Sequence, residues 1–166
     1  MEGVTSGADG VQALYEASYP RLVGVLALAA GDRAEAEEVV QEAFVRLLGR
    51  WSTVSAYDDP EAWVRRVAFR LLSNRWRKAR NGLRAVGRLG PPPVVEGPTA
   101  DRLDVARALA ELPSAQRQVV VLHHLVGLDL AAVAAELAVP VGTVKSRLSR
   151  ARAALAPLLR EESSRA

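Results

Sequence analysis

A chain of 166 residues, 49% of them hydrophobic and with a net charge of +3, can bury a packed core in one medium domain or two small ones. It contains no cysteine, which excludes disulfides, thiolate metal sites and cysteine nucleophiles and fits a reducing cytoplasm. No secretory signal pattern opens the chain, and the longest apolar run, LVGVLALAA at 22–30, falls far short of the ~20 residues of a membrane span, so direct membrane insertion is not expected.

The first ten residues are small and polar and are expected to be loose. Leu14, Ala17, Ser18, Leu22, Val25 and Leu26 then recur at helical spacing over residues 11–30, with Gly31 as a stop. A second amphipathic helix is expected from Arg33 to Arg50, its inward face built from Ala36, Val40, Ala43, Phe44 and Leu47. WSTVSAYDD, residues 51–59, lacks helical period and reads as a loop. Asp59-Pro60-Glu61 is a helix start: a capping carboxylate, a proline at the first helical position and an acid at the positive helix end. The helix it opens runs to about Arg80. Residues 81–100 hold Gly82, Gly87, Gly90 and Gly97 and four of the nine prolines, the composition of a linker. Four more helical stretches follow at about 101–111, 114–126, 129–137 and 141–160. No strand pattern and no internal repeat emerges. The expected fold is all-α: a helical domain at 11–80, a flexible linker at 81–100, and a second small helical domain at 101–160.

Charge is distributed in blocks. Residues 1–60, 61–90, 91–136 and 137–166 carry net charges of −6, +8, −3 and +4. Two basic patches, each preceded by an acidic stretch, point to two anion-binding surfaces, although ordinary charged helix faces would look similar.

Residues 130–148, LAAVAAELAVPVGTVKSRL, have the anatomy of a helix-turn-helix. Val133 and Leu137 face inward on the first helix, Ala134 is small where two helices cross, and Ala138–Pro140 form the break. The turn usually contains glycine where this chain has Ala138. Val144 and Leu148 anchor the second helix, which leaves Thr143, Lys145, Ser146, Arg147, Ser149, Arg150 and Arg152 to the outside. Lys and Arg there can reach phosphates or guanine edges, and Ser and Thr can do either. A plain helical hairpin with a basic outer face is the competing reading. Enzyme chemistry finds no support. No phosphate-binding glycine loop, nucleophile elbow or metal-spaced carboxylate set is present. His123 and His124 are adjacent, so they point to different helix faces and do not form a metal pair. Neither a metal nor a cofactor is expected.

VPVGTVKSRLSRARAAL at 139–155, preceded by LPSAQRQVVVLHHLVGLDLAAVAAEL, resembles the fourth conserved region of bacterial RNA polymerase sigma factors of the small extracytoplasmic-function type, which keeps only the second and fourth regions. The resemblance implies that this helix reads the promoter element near −35. Lys145, Ser146, Ser149 and Arg150 would be the groove-facing readers, and Thr143, Arg147 and Arg152 would make phosphate contacts or local salt bridges. AEAEEVVQEAFVRLL at 34–48 is similar to the family's polymerase-binding helix. Glu38, Gln41, Glu42 and Val45 lie on one stripe at i, i+3, i+4, i+7, an acidic and partly apolar face suited to a protein partner and poorly suited to DNA.

DDPEAWVRRVAFRLLSNRWRKAR at 58–80 resembles the helix that meets the −10 element. There Trp63, Phe69 and Trp76 alternate with Arg65, Arg66, Arg70, Arg75, Arg77, Lys78 and Arg80. Basic groups can follow a backbone while aromatic faces stack on unpaired bases. The residues assigned to −10 contact are Trp63, Arg66, Arg70, Asn74, Arg77 and Lys78, with core packing as the alternative for Trp63 and Phe69. Arg70 stands where many relatives have Asn. A 20-residue tether, on average roughly 25 Å as a coil, can cover most of the two helical turns between promoter elements, at ~34–36 Å per turn. The implied partners are core RNA polymerase, promoter DNA and an anti-sigma factor, all met in the cytoplasm. The competing function classes are a response regulator, for which residues 1–80 supply no receiver domain, and a pure protein-interaction module, which would not need outward basic side chains.

Overall fold

The computed structural model describes residues 2–82 and 100–164. Among them all regular structure is helical: α1 (Glu2–Ala30), α2 (Arg33–Leu48), α3 (Trp51–Val54), α4 (Pro60–Asn81), α5 (Ala100–Ala110), α6 (Ser114–Val120), a π-helical turn (Val121–Leu125), α7 (Leu130–Leu137) and α8 (Val141–Ser163). The chain divides into two compact units, Met1–Leu26 with Ala34–Arg88, and Ala27–Arg33 with Leu89–Ala166. Most of the expected linker lies outside the described residues, since Gly82 caps α4 and Ala100 opens α5.

The N-terminal unit is built on the apolar stripes of its long helices. Leu22 and Leu26 of α1, Val40, Ala43, Phe44 and Leu47 of α2, and Val64, Ala68, Phe69 and Leu72 of α4 are all buried. Asp59 caps α4 as its sequence foretold: its carboxylate accepts from Ala62 N–H at 3.0 Å, with Pro60 in the first turn. Gly31 ends α1 with φ at +73° and its N–H on the Ala27 carbonyl at 2.8 Å.

Three expectations change in this unit. Residues 2–10, expected to be loose, are helical, because α1 begins at Glu2. Gly7 and Gly10 lie against the indole of Trp51, a tertiary contact that periodicity cannot show and that extends a helix beyond its own propensity. Residues 51–54 form a helical turn, held by burial of Val54. Ala17, expected on the inward face of α1, is exposed, and Val11 and Val23 are buried instead.

In the C-terminal unit α8 packs on α5, α6 and α7. Leu109, Leu112, Val119, Leu122, Val133, Val144, Leu148 and Ala151 form its core. The stretch expected as one helix at 114–126 changes to π-helical winding at Val121, where Val126 N–H bonds the Val121 carbonyl at 3.0 Å.

Candidate nucleic-acid interface

The outward side chains of α8 are positioned by the turn that precedes it. Asp129 caps α7 by accepting from Ala132 N–H at 2.7 Å. Val133 and Ala134 are buried, and Leu137 is half-buried. The chain then reverses through Ala138, which takes the left-handed conformation (φ 54°, ψ 47°) that glycine usually supplies at such a turn. Val139 N–H returns to the Ala134 carbonyl at 3.1 Å, and the Pro140 carbonyl receives Thr143 N–H at 3.0 Å and Val144 N–H at 3.2 Å. This geometry sets the phase of α8.

Burial of Val144, Leu148 and Ala151 therefore puts Lys145, Ser146, Ser149, Arg150 and Arg152 on the exposed side, as expected, with Thr143 and Arg147 half-buried at its edges. The Ser146 hydroxyl donates to the Gly142 carbonyl at 3.2 Å, so it presents lone pairs outward and can accept from a base amino group. Lys145, Ser149 and Arg152 share a shallow hollow of about 360 Å³ with His123 and Leu130. Sequence reasoning passed over His123 except as a metal ligand. Its Nδ1 lies 2.7 Å from the Leu128 carbonyl, so Nδ1 carries the proton and Nε2 is left for another partner. His124 turns to another groove, lined by Val105, Leu109, Leu125, Arg152 and Leu155. Partial desolvation there, then the neighbouring charges of His123 and Arg152, hold its imidazole below the ordinary histidine value of 6.5. Among the described residues no group of three or more His, Cys, Asp or Glu side chains is placed to hold a metal ion.

The second basic surface lies on α4. Trp63, Arg66, Arg70, Asn74, Arg77 and Lys78 fall within roughly a third of the helix circumference. Arg66, Arg70, Asn74, Arg77 and Lys78 are exposed, and Trp63 is half-buried. Phe69 is fully buried and belongs to the core, whereas Trp76 is half-buried. Arg75 departs from the stripe. It points to α2, where its Nη1 meets Glu38 Oε2 at 2.6 Å and its Nη2 meets Glu42 Oε2 at 3.6 Å.

The stripe on α2 is assembled as read. Glu38, Gln41 and Val45 are exposed and Glu42 half-buried. Gln41 donates to the Tyr19 hydroxyl at 3.2 Å, and Arg46 pairs with Glu42 at 3.0 Å. Sequence reasoning placed Val45 at the apolar end of this face but missed Leu48 beside it. Val45 is 65% exposed and Leu48 57% exposed, beside a shallow groove formed with Val11, Tyr15 and Phe44. The signal was present, since Leu48 lies i+7 from Gln41 and i+3 from Val45 on the same stripe.

Comparison with known proteins gives the family of each half of the chain. Residues 14–82 match the Sigma-70 region 2 family, and residues 102–155 match Sigma-70, region 4. The chain is 34% identical to the ECF RNA polymerase sigma factor SigL of Mycobacterium tuberculosis, over 97% of each chain. It is 31% identical to the probable RNA polymerase sigma-C factor of Mycobacterium bovis, over 75% of this chain and 70% of that one. Among solved structures, CnrH in complex with the cytosolic domain of CnrY is similar, with a TM-score of 0.59 and 26% identity over 95% of both chains. The sigma factor RpoE of Bartonella quintana, solved with the anti-sigma factor NepR, shares the fold with a TM-score of 0.71 and 23% identity, over 90% of this chain and 96% of that one.

Proposed function

The chain belongs to the extracytoplasmic-function sigma factors of RNA polymerase, a two-region branch of the sigma-70 family, and from that premise we propose how its three surfaces divide the work of starting transcription at specific promoters. The face of α2, with Glu38, Gln41, Glu42 and Val45, docks core RNA polymerase. The stripe on α4 tracks the −10 element, its arginines and lysine on phosphates and Asn74 on an opened base. The exposed side of α8 enters the major groove of the −35 element, with Lys145, Ser146, Ser149 and Arg150 on base edges and Thr143, Arg147 and Arg152 on the backbone. The domains are 11–80 and 101–160, tethered by 81–100. The chain performs no bond chemistry itself, which stays with the polymerase, and it needs no cofactor. It works in the cytoplasm, where polymerase and DNA are, and among the described residues no helix is long and apolar enough to cross a membrane.

The observation that carries this reading is the phase of α8: the capped α7, the left-handed turn at Ala138 and the buried Val144–Leu148–Ala151 stripe together present one basic, hydroxyl-rich face. Control by an anti-sigma factor is part of the proposal. It rests on membership of the family, and the sigma factor RpoE of Bartonella quintana, which shares the fold, was solved with the anti-sigma factor NepR. Run-off transcription with core polymerase over a randomised promoter library tests the function. The expected result is selection of a two-element promoter, and reversal of Glu38 and Glu42 to Lys should weaken core binding while leaving helicity intact. A library transcribed without sequence preference would overturn the reading, and unchanged core affinity of the reversed variant would remove α2 from the contact.

A further inference from the structure

Arg75 lies on the −10 helix by sequence, but its side chain reaches α2, in a hollow that it and Glu42 share with Asn74, Arg77 and Lys78. Its guanidinium bridges α4 to α2, one arm on Glu38 and the other near Glu42. Those two carboxylates are one helical turn apart on α2, where like charges repel and splay. Arg75 neutralises that repulsion from behind. It engages Oε2 of both residues, while Arg46 takes Oε1 of Glu42. The side chain of Glu38 stays 65% exposed and that of Glu42 41% exposed, whereas Arg75 is only 34% exposed. The cation therefore lies under the acidic face and the acids remain open to a second cation from outside.

We propose that Arg75 is a positioning residue for polymerase docking: it holds the Glu38 and Glu42 carboxylates in the arrangement that the basic surface of core polymerase meets. The inference rests on the reading of α2 as the docking face. Fixing two flexible glutamates before binding removes part of the ordering cost that association would otherwise carry. A planar guanidinium has two arms for two carboxylates, which a lysine ammonium cannot reproduce. Arg75 thereby differs in role from Arg70, Arg77 and Lys78, its neighbours on the same helix, which stand exposed on the DNA stripe.

The test measures core polymerase affinity of the full chain by titration, for Arg75→Ala, Arg75→Lys, Glu38→Gln, and Arg75→Ala with Glu38→Gln. Arg75→Ala should weaken binding roughly three- to tenfold, the range that loosening one or two side chains implies. Arg75→Lys should recover only part of this. In the Glu38→Gln background the Arg75→Ala change should cost clearly less than alone, because the two act through one contact. Once holoenzyme is saturated, preference at the −10 element should match the unaltered protein. Wild-type affinity for Arg75→Ala overturns the proposal. So does full additivity with Glu38→Gln, or a changed −10 preference, which would make Arg75 a DNA contact. Loss of helicity or a thermal unfolding shift that accounts for the weakened binding also overturns it. The Glu38→Lys, Glu42→Lys chain separates the two ideas. If it binds poorly while Arg75→Ala binds normally, the docking face stands and only the positioning role fails. If it binds normally, the docking reading fails and this inference falls with it.

Discussion

Ala138 is a non-glycine residue at φ 54°, ψ 47°, the left-handed cap that ends α7 at the α7–α8 turn. An alanine in that region carries a steric cost of about 1–2 kcal/mol from its Cβ, part of which glycine's greater unfolded-state freedom would give back. Ala138→Gly should therefore stabilise the C-terminal unit by about 1 kcal/mol, seen as slower hydrogen exchange of α7 and α8 amides. Faster exchange would mean that the turn carries no strain. The sequence locates this turn and its missing glycine but not that alanine adopts the conformation, because a break can also be made by the following proline. The same limit applies to Arg75. Counting basic residues in 58–80 groups it with the other cations, and the set assigned to the −10 element leaves it out without saying what it meets; it stands about 100° around the helix from Asn74, and its guanidinium reaches Glu38 and Glu42 of α2. Composition finds the basic helix; only the packed partner tells which of its cations are spent on the protein itself.

Helices α1, α2, α4, α7 and α8 were legible because each carries a stripe or a cap that needs no tertiary knowledge. The N-terminal end of α1 was not, because Gly7 and Gly10 are poor helix formers and their value lies in letting Trp51 approach. A Cβ on Gly10 would come within 2.4 Å of Trp51 Cζ2, whereas nothing lies within 4 Å of a Cβ on Gly24 in the same helix. Gly10→Ala should destabilise the N-terminal unit by about 1–3 kcal/mol through overpacking, and Gly24→Ala should stabilise it by up to ~1 kcal/mol through helix propensity. Thermal unfolding followed by tryptophan fluorescence reports this unit, which holds Trp51, Trp63 and Trp76. Equal shifts in the two variants would show that the indole does not pack on α1. The π-helical turn was likewise illegible, since VLHHL has no local signature for it, and it sets His124 against the apolar groove. Partial desolvation against the groove first, then His123 and Arg152, hold that imidazole below the ordinary histidine value. With the folded value below 6.5, the unfolded chain takes up the proton first as pH falls. The contribution is fully present above about pH 6.5 and is lost as pH drops through the folded value. His124→Gln should accordingly flatten the decline in stability of the C-terminal unit between about pH 7 and pH 5. A decline identical to that of the unaltered chain would assign it to carboxylates instead.

The whole molecule places two basic faces in two compact units, one on α4 and one on α8, each preceded in sequence by an acidic stretch. That block pattern was visible in the charges alone, whereas the proposed split of each face into base readers and phosphate holders is argued from helix phase, burial and the family resemblance. Arg77 on α4 and Arg152 on α8 are exposed, and each is assigned here to phosphates. Replacing a phosphate contact by alanine weakens all sequences alike and releases fewer counterions. The slope of log affinity against log salt should fall in magnitude by about 0.9 for a duplex contact at Arg152 and by about 0.7 for a single-strand contact at Arg77. Because the residues belong to different units, the double variant should lose about the sum of the two. Arg150→Ala should behave differently. A guanidinium on guanine O6 and N7 discriminates by about 1–3 kcal/mol, so its loss should relax preference at one upstream base pair and leave the others as they were. Holoenzyme titrations at several salt concentrations, paired with promoter-library transcription, separate the two classes. If Arg150→Ala shifts only the salt slope and no base preference, α8 clamps the backbone without reading it, and the specificity of the upstream element must come from DNA shape.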